Sequence, residues 1–197
     1  MNFKDFSELV ASSRSVRRFK EGIAVSGEDI RALVGLARLT PSSRNIQPLK
    51  YILVNEAKAR AAVFSCLNWA KALTDWGGPA PSQRPGAYVI ILGDTAVADR
   101  FSVDPGISAQ TIMLGARLKG LGGCIIASVE RDELRSKLAI DGRFEILLVL
   151  ALGVPDEQVF IEPMPASGKC DYWRDERGHH VPKRSLEELI VKEFIAH

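Results

Sequence analysis

The sequence predicts a single domain of the α/β or α+β class. Three observations carry that prediction: apolar residues recur at helical spacing in several separate windows, at least four short apolar runs of strand type lie between them, and 197 residues with 46% hydrophobic content can bury one core. Local pattern alone leaves the strand order open.

Ser26, with Asp29 three residues on, signals a helix start, and Ile30, Leu33, Val34 and Ala37 keep helical spacing until Pro41. A helix is expected over about 27–39. Tyr51–Val54 reads as a buried strand, Ala57–Leu67 as an Ala-rich helix, and Trp69–Trp76 as a segment running into a loop rich in Gly and Pro. Tyr88–Leu92 gives a second strand. Asp104 is expected to cap a helix that has Pro105 at its first position and runs to about Lys119. Its apolar residues fall on most faces, so it belongs at the centre of the fold. Cys124–Ala127 and Ile146–Leu152 add strands around a helix over Arg131–Leu138. Ser185 and Glu188 form a second capping box, so the chain is expected to end in a helix. Phe160–Pro182 reads as an irregular arm whose Phe160, Ile161, Met164, Tyr172 and Trp173 must pack on something, either a partner subunit or the chain's own sheet.

A net charge of +2 gives no global field that would draw nucleic acid or an acidic membrane surface. Lys4, Asp5 and Glu8 interrupt the first nine residues, so no leader peptide is expected there, and a cytoplasmic location follows. No apolar run approaches the length of a membrane span. Three widely spaced cysteines without a C-x-x-C pair suit reduced thiols, read as packing residues.

Arg14, Ser15, Arg17 and Arg18 concentrate guanidinium and hydroxyl donors in a short stretch, which suits a phosphate. Lys183-Arg184 is a second basic pair. Spacing alone leaves open whether these are a binding site, a nucleic-acid contact or solvated surface. Pro41 to Pro48 offers Ser42, Ser43, Asn45 and Gln47, either to a heteroaromatic ligand or as an ordinary connection. Other chemistries are excluded more firmly. Gly120-Leu121-Gly122-Gly123 has Ile125 where a dinucleotide loop needs its last Gly, Gly168-Lys169 is not a phosphate loop, and His179-His180 has no metal-ligand partner at the right spacing. No nucleophile elbow is present.

Taken in order, Arg14-Ser15-Val16-Arg17-Arg18-Phe19, Pro41-Ser42-x-x-Asn45-x-Gln47-Pro48, Gly106-x-x-Ala109-Gln110-x-x-Met113-Leu114 with Gly120-Leu121-Gly122, Leu152-Gly153-x-Pro155 and Pro182 to Leu189 resemble the motif series of the nitroreductase family. The resemblance covers nearly the whole chain. It implies an α+β fold around a central mixed sheet, an intertwined homodimer reached by the 160–182 arm, and FMN bound between subunits. Arg14, Ser15 and either Lys183 or Arg184 would then hold the phosphate. Arg17 would face the pyrimidine end of the flavin, Ser42, Ser43, Asn45 and Gln47 would approach it from the other subunit, and backbone groups at Ala127 and Ser128 would lie beside flavin N5. The implied reaction is ping-pong hydride transfer from NADH or NADPH to flavin N5 and on to a nitroaromatic or quinone, with no side-chain general base. The alternative is a flavin-binding or flavin-sensing module without turnover. Two positions depart from the family pattern: Ser13 stands where an Arg is usual and Leu49 where an aromatic is usual.

Overall fold

The computed structural model describes residues 2–70 and 72–196. Four strands, β1 (Leu49–Val54), β2 (Ala87–Asp94), β3 (Gly122–Ile126) and β4 (Phe144–Gly153), form the central sheet in the order β1-β2-β4-β3. Neighbouring strands pair antiparallel, and Ser15 adds a parallel bridge to Gly123 at the outer edge of β3. The sheet is therefore mixed at that edge.

Strand alternation divides the core in two. Tyr88, Ile90 and Leu92 of β2 face one way and meet Val63, Cys66 and Leu134 from α3 (Ala57–Phe64), the turn after it, and α5 (Arg131–Lys137). Ala87, Val89 and Ile91 face the other way onto Ile30 and Leu33 of α2 (Gly27–Ala37) and Ala109, Ile112 and Ala116 of α4 (Asp104–Leu118). All eight residues of β2 are buried, as a strand covered on both faces must be. The α+β class is borne out, and the strands and helices expected between residues 27 and 153 all form within a few residues of their predicted bounds.

One element is additional to those expected and three expectations need correction. An amphipathic helix, α1 (Phe3–Ser12), precedes the first expected element and opens with a capping box between Asn2 and Asp5. Asp104 does not cap α4; Val103 holds that position, and Asp104 is the first helical residue with its carboxylate turned elsewhere. The arm is not irregular, because β5 (Val159–Pro163), β6 (Trp173–Arg174) and β7 (His179–Lys183) build a second sheet in the order β5-β7-β6. Finally, the C-terminal capping box starts only one turn, α6 (Leu186–Leu189). The residues after it leave Val191, Phe194 and Ile195 exposed, so nothing among the described residues rewards further helix. Of the cysteines, Cys66 and Cys124 are buried packing residues but Cys170 is exposed.

Two close approaches place the site. Residues 14–20 run along the edge of β3, with the Val16 N–H donating to the Gly123 carbonyl at 2.8 Å and the Lys20 N–H to that of Val154 at 2.9 Å. At Gly123 a Cβ would lie 2.1 Å from the Ala151 carbonyl oxygen, so only glycine lets β3 sit this close to β4.

Candidate functional site

Where β3 ends, β4 continues. Ile91 pairs with Leu148 and Leu92 with Ile146, so Leu147 is an extra residue and β4 bulges there. Arg131 covers the bulge: its Nε donates to the Ile146 carbonyl at 2.8 Å and an Nη to the Ala127 carbonyl at 3.2 Å. The guanidinium takes over from the departing strand and holds Ala127-Ser128 as it turns away from the sheet. The N–H groups of Ala127 and Ser128 donate to no carbonyl among the described residues, whereas the Ser128 carbonyl accepts from Asn68 N at 3.0 Å.

This turn forms one wall of a groove of about 180 Å³, whose other walls include Arg17, Trp69, Cys124 and Tyr172. Arg17 is fixed at both ends. Glu157, its side chain only 4% exposed, accepts from the Arg17 and Arg18 backbone N–H groups and from Arg174 Nη2 at 2.8 Å. The Arg17 guanidinium stacks 4.9 Å from the Tyr172 ring centre and lies 3.3 Å from Nε2 of the fully buried His179. Burial, with the Arg17 charge adding to it, pushes the His179 pKa down to about 4, so the ring is neutral at pH 7. Burial likewise pushes the Cys124 thiol up, and it stays protonated. The wall residue Trp69 has its indole N–H buried with no partner among the described residues.

Arg14 lies on a second cavity, about 390 Å³ and open, which it shares with Phe3, Phe6, Val10, Ile161 and Lys183. One Arg14 Nη donates to the Val10 carbonyl at 2.8 Å, while its buried Nε has no partner among the described residues. Arg184 points elsewhere and pairs with Glu188 at 3.4 Å. Ser15 is exposed at the start of the segment that carries both cations.

The α2–β1 loop is a third location. The Ser42 hydroxyl accepts from Gln47 N at 2.9 Å and donates to Asp104 at 2.5 Å; Asp104 also accepts from Ser43 N at 3.1 Å. Gln47 Nε2 folds back to the Asn45 carbonyl at 3.1 Å, and Asn45 is exposed. This hydroxyl relay holds a loop in which Arg44, Asn45 and Gln47 have φ of 50°, 56° and 55°. Ser42 and Gln47 line a cavity with Asp104 and Tyr51 and are absent from the Arg17 groove. The register explains the separation: the loop enters at Leu49, in the row of Gly93 and Glu145, while β3 leaves toward the same end of the sheet at its opposite edge. Three strand spacings, about 14 Å, separate the two edges.

The structure therefore brings Arg17 together with Ala127 and Ser128, and Arg14 together with Lys183. It does not bring Ser42, Ser43, Asn45 and Gln47 to either place within one chain, and Arg184 is engaged by Glu188. Sequence reasoning missed Glu157, Tyr172, His179, Asp104 and Arg131. For the histidines a signal existed, since adjacent residues of a strand face opposite sides.

The chain is thus a three-layer α+β protein with a cation-walled groove at the edge of its sheet. The Nitroreductase family model matches residues 10–154, and the chain belongs to the nitroreductase family, whose class is that of the oxidoreductases. A relative from Archaeoglobus fulgidus, named for NADH dehydrogenase and NAD(P)H nitroreductase, is 25% identical over 164 residues, covering 79% of this chain and 88% of that one. The crystal structure of a nitroreductase family protein from Streptococcus pneumoniae superposes with a TM-score of 0.69 at 19% identity, over 95% of this chain and 100% of that one. A structure from Exiguobacterium sibiricum solved in complex with FMN gives a TM-score of 0.65 at 18% identity, over 80% and 91% of the two chains. No helix among the described residues is long and apolar enough to cross a membrane.

Proposed function

We propose that this protein is an FMN-dependent oxidoreductase that takes hydride from NADH or NADPH and reduces an organic acceptor such as a nitroaromatic or quinone. The observation that carries the reading is the groove lined by a fixed guanidinium, Arg17, and by Ala127 and Ser128, whose backbone N–H groups donate to no carbonyl among the described residues. That donor set fits a flavin. A cation suits the pyrimidine end, where negative charge accumulates on reduction, and N–H donors suit the ring nitrogen that receives hydride. Arg14, whose buried Nε has no partner among the described residues, and Lys183 line one cavity and fit the phosphate in the same way, and Lys183 is favoured over Arg184 because Arg184 does not line that cavity.

When bound, FMN supplies the chemistry, accepting hydride and passing electrons to the acceptor. The chain orients and shields the reacting ring. Arg17 holds charge at one end of the groove, Ala127 and Ser128 offer donors along the wall, and Trp69 with Tyr172 limits water. No side chain needs to move a proton for hydride transfer.

The reading extends to a homodimer in which the loop bearing Ser42, Ser43, Asn45 and Gln47 from one copy completes the groove of the other. Its support is the position of that loop at the opposite sheet edge, together with apolar surface at Phe3, Val191 and Phe194 that the chain itself does not cover. The 160–182 arm meets its own chain through Tyr172, Arg174 and His179 yet leaves Ile161 and Trp173 exposed, so the arm and the tail after Ser185 both offer apolar surface to the second copy.

Reconstitution tests the function. Apoprotein titrated with FMN should take up the flavin and then turn over NADH or NADPH with a nitroaromatic or quinone acceptor. A chain that binds no FMN ends the proposal, and one that binds FMN without turnover is the flavin-binding module instead.

A further inference from the structure

His179 lies 162 residues from Arg17 in sequence, at the start of β7, and is fully buried. A guanidinium has no acceptor lone pair, so at 3.3 Å from Arg17 Nη1 the imidazole Nε2 is the acceptor, which places the ring proton on Nδ1, a buried atom with no hydrogen-bond partner among the described residues. Tyr172 touches both groups, meeting the His179 ring edge-on at 5.1 Å between centroids and lying under the Arg17 guanidinium. His179 belongs to β7 of the small C-terminal sheet and Tyr172 immediately precedes its β6, while Glu157 anchors the Arg17 backbone from the segment leading into that sheet. The charged groups facing the imidazole are Arg17, Glu157 and Arg174, with the neighbouring His180 directed to the opposite face of β7.

We propose that His179 is a positioning residue for Arg17: the lone pair on its Nε2 fixes the guanidinium on the groove wall, so that the C-terminal sheet sets the charge presented to the pyrimidine end of the flavin. The inference rests on the flavin reading above. An arginine free to swing into solvent would still help bind FMN, but it would stabilise the reduced form less, because its charge would be screened and displaced. Losing His179 therefore acts on the ratio of reduced to oxidised affinity more than on affinity for oxidised FMN.

The test uses the FMN-loaded protein and four variants, His179→Phe, His179→Gln, Arg17→Ala and the Arg17→Ala/His179→Phe double. His179→Phe should lower the ratio of reduced to oxidised FMN affinity about tenfold, a fall of about 30 mV in midpoint potential for a two-electron couple. His179→Gln, which keeps an acceptor, should restore most of it. In the Arg17→Ala background the His179→Phe change should shift the ratio less than twofold, an outcome that a purely structural role for His179 would not give. On the parent protein, ¹⁵N NMR should show Nε2 unprotonated, and this readout stands even if His179→Phe does not fold. A protonated Nε2, or equal potential shifts with and without Arg17, overturns the inference while leaving FMN binding intact. A parent protein that takes up no FMN overturns the flavin reading, and this inference with it.

Discussion

Asp104 is the clearest place to test how the α2–β1 loop is held. Its carboxylate, on a residue only 4% exposed, accepts from the Ser42 hydroxyl and from Ser43 N, and Ser42 in turn accepts from Gln47 N. Replacing Asp104 with Ala removes both acceptors at once. Hydrogen bonds to a charged group contribute about 1.5–3 kcal/mol each, but Ser43 is exposed and Ser42 half-buried, so water recovers part of the loss. A carboxylate in the first turn of α4 adds about 0.3–1 kcal/mol through the helix dipole. The expected net cost is about 2–3 kcal/mol. The relay also holds left-handed backbone at Arg44, Asn45 and Gln47, a conformation costing roughly 1–2 kcal/mol at a non-glycine residue and less at Asn. Loss of the relay should therefore release the loop before the whole fold opens. Urea unfolding measures the first effect and amide exchange at residues 43–47 the second. Ser42→Ala alone should cost about 1 kcal/mol, and its effect in the Asp104→Ala background should be smaller, because the bond the two side chains share is already lost and only the Gln47 N–H to Ser42 bond is left to remove. Asp104→Ala with less than about 0.5 kcal/mol of loss, or full additivity of the two substitutions, would refute the relay.

Other predictions concern the cations and the second sheet. Arg14→Ala should raise the FMN dissociation constant roughly 10- to 150-fold, from about 1.5–3 kcal/mol for a charge-assisted hydrogen bond, while Arg184→Ala should change it little; fluorescence titration separates them. His180 is clamped between the Phe160 and Trp173 rings at 5.1 Å each, and its two nitrogens meet Glu162 at 2.7 Å and Asp175 at 2.9 Å, bonds to these carboxylates that hold its pKa above the ordinary 6.5. A raised pKa in the fold stabilises the protonated form. The stability lost in His180→Gln should thus be greatest below about pH 6.5 and shrink as pH rises through the folded value, as thermal melts across pH would record. His179 has the opposite sign, with its pKa near 4: the stability gained by burying it neutral is present above about 6.5 and is lost as pH falls toward 4. If the proposed dimer and flavin site hold, removing residues 186–197 should dissociate that dimer and weaken FMN binding without unfolding the central sheet, as sedimentation and circular dichroism would show; a truncated chain that stays dimeric and keeps its flavin counts against the tail as interface.

Much of the fold was legible because its core elements are periodic. In α2 the pattern of Ile30, Leu33 and Ala37 marks the buried stripe, and in β2 an unbroken apolar run marks a strand covered on both faces. α1 is harder to see because Lys4, Asp5 and Glu8 interrupt its apolar residues, as the polar positions of an amphipathic helix do, and only the Asn2–Asp5 box marks its start. The second sheet escaped for a different reason. β5 and β7 pair in parallel across a long connection, and such pairing leaves no local signature. At the site, residue types were readable but their engagement was not. Nothing near Ser42 in sequence reveals that its hydroxyl serves Asp104, or near Arg17 that His179 holds it.

The central claim is that the groove walled by Arg17, Ala127 and Ser128 binds a flavin that takes hydride from a nicotinamide donor. Its most direct test is anaerobic titration of the FMN-loaded protein with NADH and then NADPH, with no acceptor present. At least one donor should bleach the flavin absorbance, and a quinone or nitroaromatic added afterwards should restore it. Flavin that stays bound and fully oxidised in excess of both donors would contradict it.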